Sequence, residues 1–140
     1  MNGKDFLRLI EEAFVPFLAQ LGFVKGETSI SGRCYSTDFN SQSHQLCISY
    51  EPGDDQFFFI IGETVNGRMI DIDDRSRTSR LSDLNYRFMG DVNSEEHTEN
   101  ENYFTSVLAS NKEEHQMVKA AKELRLVIPR YMRHNASFLP

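Results

Sequence analysis

The chain carries none of the short motifs that announce a reaction. There is no GxGxxG, no P-loop, no GxSxG and no HExxH, so spacing nominates no dinucleotide, nucleotide phosphate, serine nucleophile or catalytic zinc. His44, His97, His115 and His134 are scattered, without HxH or Cys/His ligand spacing. Cysteine is scarce, and neither Cys34 nor Cys47 has the electropositive neighbourhood and nearby base that a nucleophilic thiol needs. Positive charge is also short: Lys+Arg number 15 against 21 Asp+Glu, a net charge of -6, the reverse of the basic footprint of a phosphate-backbone binder. Long apolar runs are missing from the N-terminus, where Asn2 to Phe14 interleaves acidic residues with apolar ones and reads neither as a signal h-region nor as a membrane span. The expectation is a cytoplasmic protein with free thiols, no cofactor, no metal, no catalytic residue, and no direct contact with nucleic acid or membrane.

What is present is a foldable core. With 140 residues, 39% hydrophobic and 11% aromatic, the chain reads as one α+β domain spanning 1–140. Its most structured stretch is Leu46 to Ile72, two successive β-hairpins sharing the apolar strand Gln56 to Val65. Pro52-Gly53-Asp54-Asp55 breaks the first, and Asn66-Gly67 marks the second, because a type I′ turn needs φ > 0 at both central positions. Pairing Glu51 with Gln56 sets Tyr50, Ile48 and Leu46 against Phe57, Phe59 and Ile61. Pairing Val65 with Arg68 sets Ile61 against Ile72 and Glu63 against Ile70, adding both isoleucines to that core face. The reverse face then carries Phe58, Ile60 and Met69 beside Cys47, Ser49, Thr64 and Asp71. That is too apolar for a simply solvated surface, and part of it should be covered.

Around this stretch, Lys4 to Leu21 shows the i, i+3, i+4 stripe of an amphipathic helix, kinked at Pro16 and stopped at Gly22. Arg33 to Phe39 reads as the first strand. Asp73 to Arg80 is a charged loop, and Leu81 to Met89 fits either a short helix or a strand. Asp91 to Asn102 reads as a solvated acidic loop or exposed helical turn, and Tyr103 to Ala109 as one more strand. Ser110-Asn111-Lys112-Glu113 is a capping box opening a second helix to about Val127, with Pro129 helping to end it. The predicted architecture is an antiparallel meander packed by an N-terminal and a C-terminal amphipathic helix.

Two charged clusters invite chemistry. Asp71-Ile72-Asp73-Asp74 could present carboxylates to a divalent ion, but it lacks the glycine and late glutamate of a calcium loop and has cations next to it. Arg75, Arg77 and Arg80, with Arg87 beyond, could grip phosphate or carboxylate through bidentate hydrogen bonds. The favoured account instead pairs them with Asp71, Asp73, Asp74 and Asp83.

The layout of helix, meander, acidic segment and closing helix, in a small acidic chain without catalytic motifs, resembles bacterial immunity proteins that neutralise a cognate toxin. Gly32-Arg33-Cys34-Tyr35 followed by Leu46 to Gly62 also resembles the early strands of class I type III secretion chaperones. That pattern continues with an interior helix and two further strands, which Asp73 to Asn102 does not show. The first resemblance implies an inhibitor that occludes the active site of a basic toxin, a nuclease for instance, whose substrate groove must be positive. Its partner-binding residues would come from Asp54 and Asp55, from Glu95, Glu96, Glu99 and Glu101, and from the apolar strip Phe58, Ile60 and Met69. The second implies a homodimer holding an effector segment. An enzyme without a recognisable motif is the third reading, and the sequence leaves monomer and homodimer open.

Overall fold

The computed structural model describes residues 1–69 and 71–136. The N-terminal stripe forms one rod: α1 (Gly3–Leu9), a π-helical turn (Ile10–Phe14) and α2 (Val15–Gln20). Asn2 caps it, its Oδ1 accepting from Asp5 N at 2.9 Å. Pro16 sits in the first turn of α2, where a missing N–H is tolerated, and the wider π turn takes up the misfit ahead of it. Phe6, Leu9, Ile10, Ala13, Phe14, Phe17 and Leu18 are each at most 1% exposed, so the stripe is core as far as Leu18, with Leu21 half-buried at its end. Gly22, at φ 90, ends the rod while its own amide donates to Ala19 O and that of Phe23 to Leu18 O.

Among the described residues six antiparallel strands follow: β1 (Val24–Ile30), β2 (Tyr35–Asn40), β3 (His44–Glu51), β4 (Gln56–Val65), β5 (Arg68–Met69) and β6 (Thr78–Arg80). The order is β1-β2-β3-β4-β5, with β6 also pairing β4. Glu51 faces Gln56, Ile48 faces Phe59, Leu46 faces Ile61 and Val65 faces Arg68, the register read from the turns. Asn66 and Gly67 take φ 55 and 78, as a type I′ turn requires.

The arm after Arg68 departs from expectation. Ile61 lies opposite Ser79, not Ile72, and Ile72 is 45% exposed; Ile70 falls outside the described residues. The aspartates explain the departure, because Asp71 Oδ1 accepts from Asp73 N and Asp74 Oδ1 from Ser76 N, which turns the chain out of the ladder. It returns as β6 against Ile60, Ile61 and Gly62. Gly62 permits this close approach, since a Cβ there would lie 3.0 Å from Thr78 Cγ2 and 3.1 Å from the Arg77 carbonyl. β1 was not anticipated, because all seven of its residues are exposed and show no apolar alternation.

The helices are α3 (Leu81–Phe88), α4 (Ser94–Tyr103) and α5 (Lys112–Ala136) in addition to the N-terminal rod. Leu81 to Met89 is thus helical, with Leu84 and Phe88 inward and Tyr86 92% exposed. The acidic segment is a full helix capped by Asn93, and Tyr103 to Ala109 forms no strand. The expected capping box moves by one residue: Asn111 Oδ1 accepts from Glu114 N, and Glu114 reaches back to Ser110 N. Pro129 does not end α5, which runs on to Ala136; Arg130 Nη1 donates to the Leu126 carbonyl just before the proline, and Tyr131 beyond it is core.

Ring contacts between helices and sheet fall on one face. Phe14 stacks on Phe59, Phe6 meets Tyr35 and Tyr131 meets His44 edge-on. Burial pushes the His44 imidazole below its usual range, against an upward pull from Glu63. A histidine depressed in the folded state contributes stability that is complete above its unfolded value, about 6.5, and is lost as pH falls toward the folded one. The urea midpoint should therefore drop between pH 7.5 and 5.5 more steeply for the wild type than for His44→Gln; parallel pH profiles would contradict this assignment.

Candidate functional site

Because the helices pack on the face of Leu46, Ile48, Phe59 and Ile61, the opposite face of the sheet has no helical layer among the described residues. The strand register aligns its residues in rows: Ser36, Ser49 and Phe58; Asp38, Cys47, Ile60 and Arg80; Asn40, Gln45, Gly62 and Thr78. Met69 joins them opposite Thr64, its Cγ within 3.4 Å of where a Gly62 side chain would begin. The sequence-predicted strip of Phe58, Ile60 and Met69 therefore does lie on one surface. Ile60 is only 5% exposed, while Phe58, Met69, Cys47 and Ser49 are half-buried. Asp38 and Glu51 share this face, a juxtaposition that only the β2–β3–β4 register brings out.

Cys47 sits at the middle of the face. Burial, reinforced by the Asp38 carboxylate opposite it, pushes its thiol up to about 12. A thiol so protonated is a poor nucleophile, and Cys34 and Cys47 are both outside any disulfide.

The acidic residues expected to meet a partner are distributed differently. On α4, Glu96 pairs with Arg130 at 2.6 Å, Glu99 with Arg125 at 3.0 Å and Glu101 with Lys122 at 2.8 Å, all cations of α5. Hydrogen bonds from these arginines hold the Glu96 and Glu99 carboxyls below the usual range, with the Asn93 backbone amide adding to the effect at Glu96. Arg125 also donates to Asn100 Oδ1 and lies 3.9 Å from the Tyr103 ring centre. Three of the glutamates therefore fasten one helix to another. Glu95, on the outer side of α4, makes no ion pair among the described residues.

The β3–β4 turn holds the other two candidates. Asp55 takes φ 52 and accepts the Tyr50 hydroxyl at 2.7 Å, an anchor for the turn. Burial, and then this bond, hold the Tyr50 phenol above its usual range. Asp54 is exposed beside a surface hollow of about 410 Å³ that it lines with Arg33, Cys34 and Glu51. No family model matches the chain, nor does any curated protein or solved structure. The reading of the site consequently rests on its chemistry.

The charged loop before α3 differs most from its expected form. The pairing of Arg75, Arg77, Arg80 and Arg87 with Asp71, Asp73, Asp74 and Asp83 does not occur among the described residues, whose ion pairs all lie elsewhere. Asp71, Asp74 and Asp83 accept backbone amides instead, Asp83 that of Arg80. Two serine hydrogen bonds from Ser76 hold the Asp74 carboxyl below its usual range. Among the described residues no group of His, Cys, Asp and Glu is placed to hold a metal ion, and no helix is long and apolar enough to cross a membrane.

Proposed function

We propose that this protein is a binding module of the immunity type, which holds a basic protein partner against the helix-free face of its sheet. The observation that carries the reading is the presence on one face of Phe58 and Met69, half-buried and apolar, and of the carboxylates of Asp38 and Glu51. Apolar anchors supply most of the affinity of such a contact, and opposite charge around them speeds encounter and selects the partner. The net charge of -6 extends the same preference over the whole molecule. A toxin that must itself hold an anionic substrate is the natural complement, and its inhibition would follow from covering that groove.

The test compares two variants against the partner recovered from the native host with tagged full-length protein. Phe58→Asp should weaken the complex by about 2 kcal/mol or more, the scale of a central anchor residue. Glu95→Lys, on α4, should change affinity by well under that. Equal binding by wild type and a folded Phe58→Asp variant would remove the sheet face from consideration. A recovered protein that is acidic, or whose association is insensitive to salt, would contradict the charge argument.

A further inference from the structure

A different part of the molecule gathers an excess of positive charge in one pocket. Arg75 and Arg77 from the loop before β6 and Arg87 from α3 line a single pocket of about 540 Å³, with Ser76, Thr78 and Ser79 along one wall. Glu63 and Val65 of β4 and Tyr131 of α5 complete it. Glu63 pairs across the ladder with His44, so the pocket opens on the helix side of the sheet, away from the face of Phe58.

The charge balance is unusual for an acidic protein. Several cations elsewhere in the described residues meet a carboxylate directly, Arg8 with Glu114, Lys122 with Glu101, Arg125 with Glu99 and Arg130 with Glu96, while others such as Arg33 and Arg68 stand singly. Here three guanidinium groups line one pocket and none has an ion pair among the described residues, although Asp71, Asp73, Asp74 and Asp83 are close in sequence. Of these, Asp71, Asp74 and Asp83 accept backbone amides in the turns that shape the loop. Like charges placed together repel, and three guanidinium groups lining one pocket are relieved by an external anion.

We infer that this pocket binds a small molecule bearing a phosphate or pyrophosphate group. Three guanidinium groups and one carboxylate leave a charge of about +2, the complement of a phosphomonoester, which carries about -1.5 to -2 at neutral pH. A carboxylate has two oxygens, which a single guanidinium fork satisfies; three forks suit the larger number of acceptor oxygens on a phosphoryl group. The volume falls within the range of about 300–1,000 Å³ typical of small-ligand sites. Val65 and Tyr131 offer surface for an organic remainder. This inference is independent of the partner-binding reading, since it uses other residues on the other side of the sheet.

Calorimetric titration of the full chain with inorganic pyrophosphate, at low and constant ionic strength, tests it. Saturable binding of one equivalent is expected, with citrate binding at least about tenfold more weakly under the same conditions. Arg77→Gln and Arg87→Gln should each weaken pyrophosphate about tenfold or more, the effect of losing one charge-assisted contact. Arg33→Gln removes the same charge from a distant turn and should leave binding within about twofold. Thermal unfolding of each variant confirms that it is folded, and Arg75→Gln replaces any that is not. Absence of saturable binding, equal affinity for citrate, or equal weakening by Arg33→Gln would overturn the assignment.

Discussion

Phe14→Ala is expected to lower the free energy of unfolding by about 3–5 kcal/mol, the usual cost of truncating a fully enclosed phenylalanine. Phe14 is 0% exposed at the end of the π turn, and its ring lies 6.2 Å from those of Phe17 and Phe59. The side chain therefore joins the N-terminal rod to the middle strand of the sheet, at the point where Pro16 prevents ordinary helical hydrogen bonding. Relaxation cannot refill the space easily, because the neighbouring helix residues and the strand are both held by backbone ladders. For a chain of this length the loss corresponds to a fall in Tm of about 10–20 °C. Phe59→Ala should fall at the lower end of the range, as that ring is 9% exposed. Urea unfolding that is unchanged in Phe14→Ala would place the rod somewhere other than on this face.

Arg8→Met should have the next largest effect, about 2–3 kcal/mol. Arg8 Nη2 donates to Glu114 Oε1 at 2.7 Å, tying the first helix to the start of α5. The Glu114 side chain is 3% exposed and that of Arg8 is 37%. Removing the cation leaves a buried carboxylate with only the Ser110 and Asn111 donors, and a broken buried pair costs about 3–5 kcal/mol. The discount reflects the exposure of Arg8, which lets water replace part of its attraction. Glu114→Gln should cost less, about 1 kcal/mol, since the amide oxygen still accepts from Asn111 and the remaining arginine is solvated. Combining the two should recover part of the Arg8→Met loss, because a neutral amide has no need of the cation. Strict additivity of the two variants in denaturant unfolding would show that the pair is not coupled.

The hairpins were legible in the sequence because two local signals agree there. Asn66-Gly67 and Pro52-Gly53 locate the turns, and the alternation of Leu46, Ile48 and Tyr50 with polar residues locates the faces. That agreement also identified the open face with Phe58, Ile60 and Met69. Elements stabilised by charge left no such trace. α4 has one buried side chain within its span, Asn100, whose amide donates to the Lys122 carbonyl. Its attachment through Glu96, Glu99 and Glu101 depends on α5 residues some 20 to 35 positions away, so the sequence presented only an acidic stretch. The continuation of α5 beyond Pro129 is likewise a tertiary effect, with Val127, Ile128 and Tyr131 all buried. The arginine pocket needs the folded chain to set Arg87 of α3 beside Arg75 and Arg77. Their spacing hinted at anion binding, but the aspartates among them offered an equally local alternative.

Methionine and phenylalanine react readily with hydroxyl radicals when water reaches them, so radical footprinting of the partner complex reads the proposed surface directly. Phe58 and Met69 should become protected when the captured basic partner is bound, while Tyr86 and Leu108, at 92% and 72% exposure on other elements, keep their reactivity. Protection of Tyr86 or Leu108 with Phe58 and Met69 unchanged would contradict the account, and would place the partner on the helical side of the protein.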